Sequence, residues 1–354
     1  MAKGEFGGRH RVLPLAGLTV VERSGPGSTD PSRAAVAFAG LLAAQLGAHV
    51  VRVEPEGGDP LRRWPPHDAA GSTVHAFLTR FKTLAPSHAP AAGDMLLTDD
   101  AATLDGWGGA GSVFVHPLPT GEGGPVSELT LMARSGLLDI FGRAGEQPQP
   151  LPGHQIAYAA GTAAFDGLLS AHLSGLRGLE VAPVRVSLLD VALWVNWKHF
   201  MAGWQGREAG LKRKEEWTSL RCSDGYIALT FQDKDMAGLA RLTGNDYFLS
   251  PDIATRSKRK AHIPQINAAL EAWSRHHTRA DIAERAKALR LPVGAVLSLP
   301  EVVQDAHMDH RGFFELCAQG RRFPRLPLFW NGGPAGRAAG AAAAPERIAG
   351  GARA

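Results

Sequence analysis

Cysteine is scarce in this chain, with two residues, Cys222 and Cys317, among 354. Two cannot build a disulfide framework. Neither sits in a CxxC or another metal-ligand spacing, so no metal site is expected and a reducing cytoplasm is the natural setting. Long apolar runs are missing as well: nothing approaches the roughly 20 residues of a membrane span, and "MAKGEFGGRHRVLPL" carries charge without the apolar centre of a secretory signal. Charge of one sign is equally sparse. Against 34 acidic residues stand 38 Lys and Arg, a net +4 spread along the chain, so nucleic acid is not an expected partner. The basic run "RSKRK", Arg256 to Lys260, lacks interleaved aromatics and reads as a solvated loop or helix start. A GxGxxG fingerprint is absent too: the glycines of "SGPGSTDP" have the wrong spacing, which leaves a nicotinamide dinucleotide unsupported.

What is present is an ordinary globular composition, 44% hydrophobic and 20% charged, in a chain longer than one core usually organises. Two domains are expected. "LAGLTVVE" (Leu15 to Glu22) is a β-branched run, "AAVAFAGLLAAQLG" (Ala34 to Gly47) a helical run closed by glycine, and "AHVVRVE" (Ala48 to Glu54) a second strand. Strand, helix, strand within forty residues is a βαβ unit and implies a parallel, doubly wound sheet with a ligand crevice at its strand ends. "DMLLTDD" and "GSVFVHPLP" extend that sheet, Ser127 caps the helix of "SELTLMARSGLLDIFG", and "TAAFDGLLSAHLSG" is a further helix. "VRVSLLDVALWVNWKHFMAGW" then runs from strand into helix.

After Gly203 the character changes. "LKRKEEW" is a charged crossing, "DGYIALTF" a strand entered by an Asp-Gly turn, and two helical segments precede "LPVGAVLSLPEVVQD". The expected division is a large domain over 1–205, a small α+β domain over 206–310, and a return to the large domain over 311–354, ending in a low-complexity tail expected to be mobile.

These pieces, in this order, resemble the class III CoA-transferase family, the group of formyl-CoA transferase, the carnitine and bile-acid CoA-transferases and α-methylacyl-CoA racemase. The likeness rests on "LLAAQLGAHVVRVEPEGGDPLRRW", "LTRFK", "SGLLDIFG", "VRVSLLDVAL", "CSDGYIAL", "LPVGAV" and "DAHMDHRGFFE". It implies an α/β fold: a Rossmann-like large domain with a parallel sheet, a smaller α+β domain, and an interlocked dimer with an acyl-CoA at the domain boundary. Coenzyme A enters as substrate, with no permanently bound cofactor.

Active members of that family use an aspartate to attack the donor thioester, giving an acyl-aspartyl anhydride. Aligning "GHQIAYAAG" puts that aspartate at Ala157, and a methyl has no lone pair with which to attack. The start of the following helix is therefore expected to lack a side-chain anion. Asp166 lies nine residues further on and would point away from the loop. The racemase variant's histidine falls at about Ser127, beside Glu128. His154, Tyr158 and Glu128 are the substitutes within reach, a base plus a phenol able to move protons. The plain alternatives are a loop histidine, a packed ring and a helix cap.

For CoA binding, the resemblance assigns Arg62, Arg80 and Lys82 to the nucleotide, where such cations pair with phosphate oxygens, and Thr98 to the loop near pantetheine or adenine. Asp99 and Asp100 beside Thr98 are expected to repel phosphate. "HMDH", His307 to His310, has metal-compatible spacing but coincides with a structural turn of the family. Three functions stay open: an acyl-CoA enzyme without the aspartyl anhydride, a noncatalytic subunit that pairs with an active paralogue, and a biosynthetic enzyme that does not use CoA; the expected assembly is a homodimer or a heterodimer with a paralogue.

Overall fold

The β-branched run "TVVER" forms β1 (Thr19–Arg23), the alanine-rich segment forms α1 (Asp30–Gln45), and "HVVRV" forms β2 (His49–Val53). In the computed structural model the described residues are 12–26, 28, 30–119, 126–142, 147–205, 217–317, 319–330 and 333–334. There follow α2 (Thr73–Leu78), β3 (Thr83–Ala85), β4 (Met95–Thr98), α3 (Ala101–Asp105) and β5 (Gly111–His116). Next come α4 (Glu128–Arg134), α5 (Leu137–Ile140), the long α6 (Gln155–Leu176), β6 (Val184–Ser187), α7 (Leu188–Val195) and α8 (Trp197–Trp204).

The six strands pair in parallel in the order β3-β2-β1-β4-β5-β6. The order reverses between β1 and β4, and in open α/β sheets a crevice for ligands opens beyond the strand ends at such a reversal. The expected parallel sheet is therefore present. Val20 pairs with Val50 on one side and Met95 on the other, and all three are buried. Fully burying an aliphatic side chain of this kind stabilises by about 1.5–3 kcal/mol.

Thirteen of the sixteen α1 residues are buried, so this helix is enclosed rather than amphipathic. Its small side chains let α6 approach closely. At Gly161 a Cβ would stand 2.7 Å from the Ala35 carbonyl oxygen and 3.0 Å from the Phe38 Cβ, so only glycine fits that crossing.

The chain divides into two compact units. The first takes the residues up to Gly142, then Gln147–Glu208 and everything from Gly312, while the second holds Arg143–Glu146 and Ala209–Arg311. In the second unit, β7 (Trp217–Cys222) and β8 (Gly225–Thr230) form an antiparallel hairpin around Ser223-Asp224, with Gly225 opening β8. After it come α9 (Met236–Thr243), α10 (Ile263–Ser274), α11 (Arg279–Ala288) and β9 (Val293–Ala295), which adds a third strand beside β8. Leu220, Ile227, Leu239, Ile266 and Ile282 belong to its separate core. The charged crossing was expected to run through Trp217, yet β7 begins there; residues 211–216 lie outside the described residues. Back in the first unit, β10 (Phe314–Leu316) pairs with β11 (Arg322–Pro324), and the tail from 335 also lies outside the described residues. Among the described residues no helix is long and apolar enough to cross a membrane.

Candidate active site

At the start of α6, Gly153 (φ +85) and His154 (φ +57, ψ +42) turn the chain through the left-handed region. A histidine there carries a backbone cost of about 1–3 kcal/mol that the surroundings must offset. The His154 ring stacks on Trp64, centroids 4.1 Å apart at 22°. Burial holds its imidazole below the usual range against the opposing charge of Asp30.

Ala157, in the first turn of the helix, is fully buried in an apolar cluster with Ala34, Ala37, Leu61, Trp64 and Leu78. The position is packed over. A carboxylate nevertheless reaches this helix start from another element, which corrects the expectation that it carries no side-chain anion. The Ile156 amide donates to Glu128 Oε1, and the Ala157 amide also faces that carboxylate. Orphan amides of a helix's first turn, together with its dipole, favour a negative group there. Burial pushes the Glu128 carboxyl up while the two amides pull it down. Its second oxygen, Oε2, is buried without a hydrogen-bond partner.

Local chemistry at α4 explains why Glu128 can reach. The Ser127 hydroxyl accepts from the Thr130 amide at 3.2 Å and the Thr130 hydroxyl accepts from the Ser127 amide at 2.9 Å. Such a reciprocal cap fixes the first turn, and buried Leu131 and Met132 fix the face of α4. Tyr158 packs on Phe38 with centroids 5.1 Å apart, and its hydroxyl is pushed up by burial and then by the Glu128 charge. The three substitutes are thus gathered around one helix start.

The residues assigned to CoA sit differently. Lys82 is buried and pairs with Glu22, its ammonium also donating to the Ala37 carbonyl at 2.7 Å. Burial lowers its affinity for a proton, with Glu22 opposing. Gly40 makes the space, since a Cβ there would fall 2.0 Å from Glu22 Oε2. Arg80 donates to Glu315 at 3.1 Å and lies over the rings of Phe81 and Phe323, so it anchors β10. Thr98 is fully buried. Arg62 is about half exposed and clasps Glu54 at 2.6 Å.

Around Arg62 the motif residues hold one another. Arg52 bonds Asp59 at 3.0 Å, pairs with Glu54, and approaches His75 at 3.3 Å. Glu54, Asp59 and His75 could offer three ligand atoms to a cation, but the Arg52 guanidinium already bridges them. Burial, then Arg52 and Arg62, hold His75 at about 4. At the sheet reversal, the two aspartates expected to repel phosphate are both engaged by the protein. Asp100 caps α3 through the Thr103 amide at 3.1 Å. The Asp99 carboxylate oxygens are both shut from solvent without a well-formed hydrogen bond, and burial pushes the group up to about 6 against Ser28, Arg33, Ser24 and the Gly25 amide. Sequence reasoning missed Trp64 and the burial of Asp99; the aromatic after "LRR" was the available signal for the first, and nothing local marked the second. Asp166 is exposed, as expected.

Known proteins bear on this geometry. A family model, CoA-transferase family III, matches residues 15–84 and 102–346. The BbsE subunit of succinyl-CoA:(R)-benzylsuccinate CoA-transferase from Thauera aromatica is 27% identical over 340 residues, covering 78% of this chain and 79% of that protein. A CAIB/BAIF family protein from Brucella suis superposes with a TM-score of 0.76 at 21% identity, over 93% of this chain and 96% of its own. The hypothetical protein Rv3272 from Mycobacterium tuberculosis gives 0.73 at 19% identity, over 91% and 95%.

Proposed function

The chain belongs to CoA-transferase family III, and from that premise we propose that it exchanges CoA between a thioester and a carboxylate with Glu128, not residue 157, as the attacking group. The observation that carries this reading is the Glu128 carboxylate seated on the first-turn amides of α6 with Oε2 unpartnered. In the step proposed, a Glu128 oxygen adds to the thioester carbonyl carbon, the C–S bond breaks, and CoA leaves as thiolate. The acyl-glutamyl anhydride is then opened at the glutamyl carbonyl by that thiolate, freeing the donor acid and leaving a glutamyl thioester for the acceptor carboxylate to attack. No aspartyl anhydride forms.

His154, held largely neutral and stacked on Trp64, shapes the approach, and Tyr158 places a phenol beside the carboxylate. Of the four CoA assignments, we keep phosphate contact for Arg62, whose side chain is 48% exposed against 10% for Arg80 and 1% for Lys82. Two free cysteines suit work in the cytosol. The test is to mix protein with acetyl-, succinyl- and benzoyl-CoA, quench with hydroxylamine and map peptides by mass spectrometry. A hydroxamate on Glu128, lost in Glu128→Gln, supports the reading; CoA exchange that persists in Glu128→Gln contradicts it.

A second reading is a subunit that acts with an active paralogue. It is favoured by the exposed aromatic residues of α7 and α8, where Trp194, Trp197 and Trp204 are 77%, 59% and 85% exposed, since exposed apolar groups gathered together mark contact surfaces. The relative from Thauera aromatica is itself named as a subunit. Co-expression with a paralogue followed by sizing separates the two readings, since a homodimer that ignores the paralogue contradicts this one.

A further inference from the structure

Exchange of CoA between a thioester and a carboxylate moves no proton, because carboxylates attack, a thiolate leaves, and each step trades one anion for another. A base has no task in it. Yet the helix start that seats Glu128 also holds a base. His154 is partly exposed, its ring is stacked on buried Trp64 with centroids 4.1 Å apart, and neither ring nitrogen has a hydrogen-bond partner among the described residues. Asp30, the first residue of α1, bears on it with an opposite charge. Burial favours the neutral imidazole, the form that can take up a proton. A nearby anion then stabilises the imidazolium.

The backbone supplies an independent sign. His154 is held at φ +57 and ψ +42, where glycine would stand without steric cost, and strain of this kind gathers at active sites. Two residues on, the Ile156 amide carries Glu128. Tyr158, in the same turn of α6, lines a cleft of about 450 Å³ open to solvent, so water reaches this end of the helix.

A general base helps only a nucleophile that has a proton to give up, and water is the one that needs no pocket of its own. We propose that the protein also hydrolyses acyl-CoA thioesters, with His154 as the general base that activates water against the acyl group captured on Glu128. The water oxygen bonds to the acyl carbonyl carbon, one water proton passes to the His154 ring, and the bond from that carbon to the Glu128 oxygen breaks. The acid leaves, Glu128 returns as carboxylate, and the imidazolium releases its proton to solvent. Thioester and water thereby become acid and CoA. The acyl-glutamyl species belongs to the transferase reading, on which this proposal rests; the base is a separate claim.

Release of CoA thiol from acetyl-CoA and succinyl-CoA, with no acceptor acid present, tests it. The parent is expected to turn over continuously, well above buffer alone. His154→Gly suits the left-handed backbone and should lower that rate about a hundredfold or more, with imidazole added to the buffer restoring part of it, while a Glu128 hydroxamate still forms. Three results overturn the proposal: a parent that releases no more than one CoA per site, hydrolysis unchanged in His154→Gly, or a loss that imidazole leaves untouched in a variant still forming the hydroxamate. A Glu128 hydroxamate obtained alongside any of these leaves the transferase reading standing.

Discussion

The segment from Arg52 to Arg62 and the start of α6 differ in how their polar groups are satisfied. In the first, Arg52, Glu54, Asp59 and Arg62 bind one another, and the charges close on themselves. In the second, Glu128 keeps a bare buried oxygen and His154 stands in a strained backbone conformation. Perturbed and incompletely paired groups tend to gather where chemistry occurs, whereas closed networks hold structure. The stretch that best marks the family thus serves the frame here, and the groups proposed to react stand at the start of α6.

A second closed pair, Lys82 with Glu22, feels the charges of Arg52 and Asp59 and gives the strongest test of the first half of that contrast. Lys82→Ala leaves Glu22 buried without its cation, and stability is expected to fall by about 3–5 kcal/mol, read from urea or guanidinium unfolding. A loss below 1 kcal/mol would show that the pair is solvated and the network incidental. On the other side, Ala157→Asp puts a carboxylate among Leu61, Trp64 and Leu78. A loss of about 2–4 kcal/mol at neutral pH is expected from the desolvated charge. Since burial raises that carboxyl, the loss should shrink as pH falls and the group protonates. Stability equal to the parent at pH 7 would mean that the position is open after all.

Asp99 sharpens the comparison further. Its carboxyl in the folded protein sits at about 6, above the ordinary 3.8. A raised carboxyl favours the folded state while protonated, so its contribution is full below about pH 4 and is lost as pH climbs toward 6. The integrated effect is on the order of 3 kcal/mol. Asp99→Asn should therefore gain on the parent between pH 4 and 7, as followed by thermal melts; parallel curves would contradict the burial. The smallest effect concerns the cap that aims Glu128. Ser127→Ala is expected to cost about 1 kcal/mol and to lower the hydroxamate yield at Glu128, and an unchanged yield would detach the cap from the chemistry.

Much of the frame was legible in the sequence because its signals are local. Runs such as "HVVRV" and "MLLT" are β-branched or aliphatic and short, Gly47 stops α1, and Ser127 announces α4. β7 was not legible: "TSLRC" mixes polar and apolar residues directly after a charged segment, so its pairing with β8 supplies what its composition does not. The site was legible in part. His154, Tyr158 and Glu128 could be nominated, but the contact of Glu128 with the Ile156 amide spans 28 positions and depends on how α4 and α6 pack. Lys82 was expected to meet the nucleotide's phosphates; its buried pairing was not legible because its partner, Glu22, lies 60 positions away and the space they share comes from Gly40 on α1.

Gly161 stands one turn beyond Ala157, where α6 touches the backbone of α1. The absence of a side chain there acts as a spacer of zero thickness: any larger residue would wedge the two helices apart close to Glu128's seat. Selection on the reaction would therefore act on a residue that no substrate meets. Alanine introduced at 161 should disturb acyl capture before it disturbs the sheet beneath.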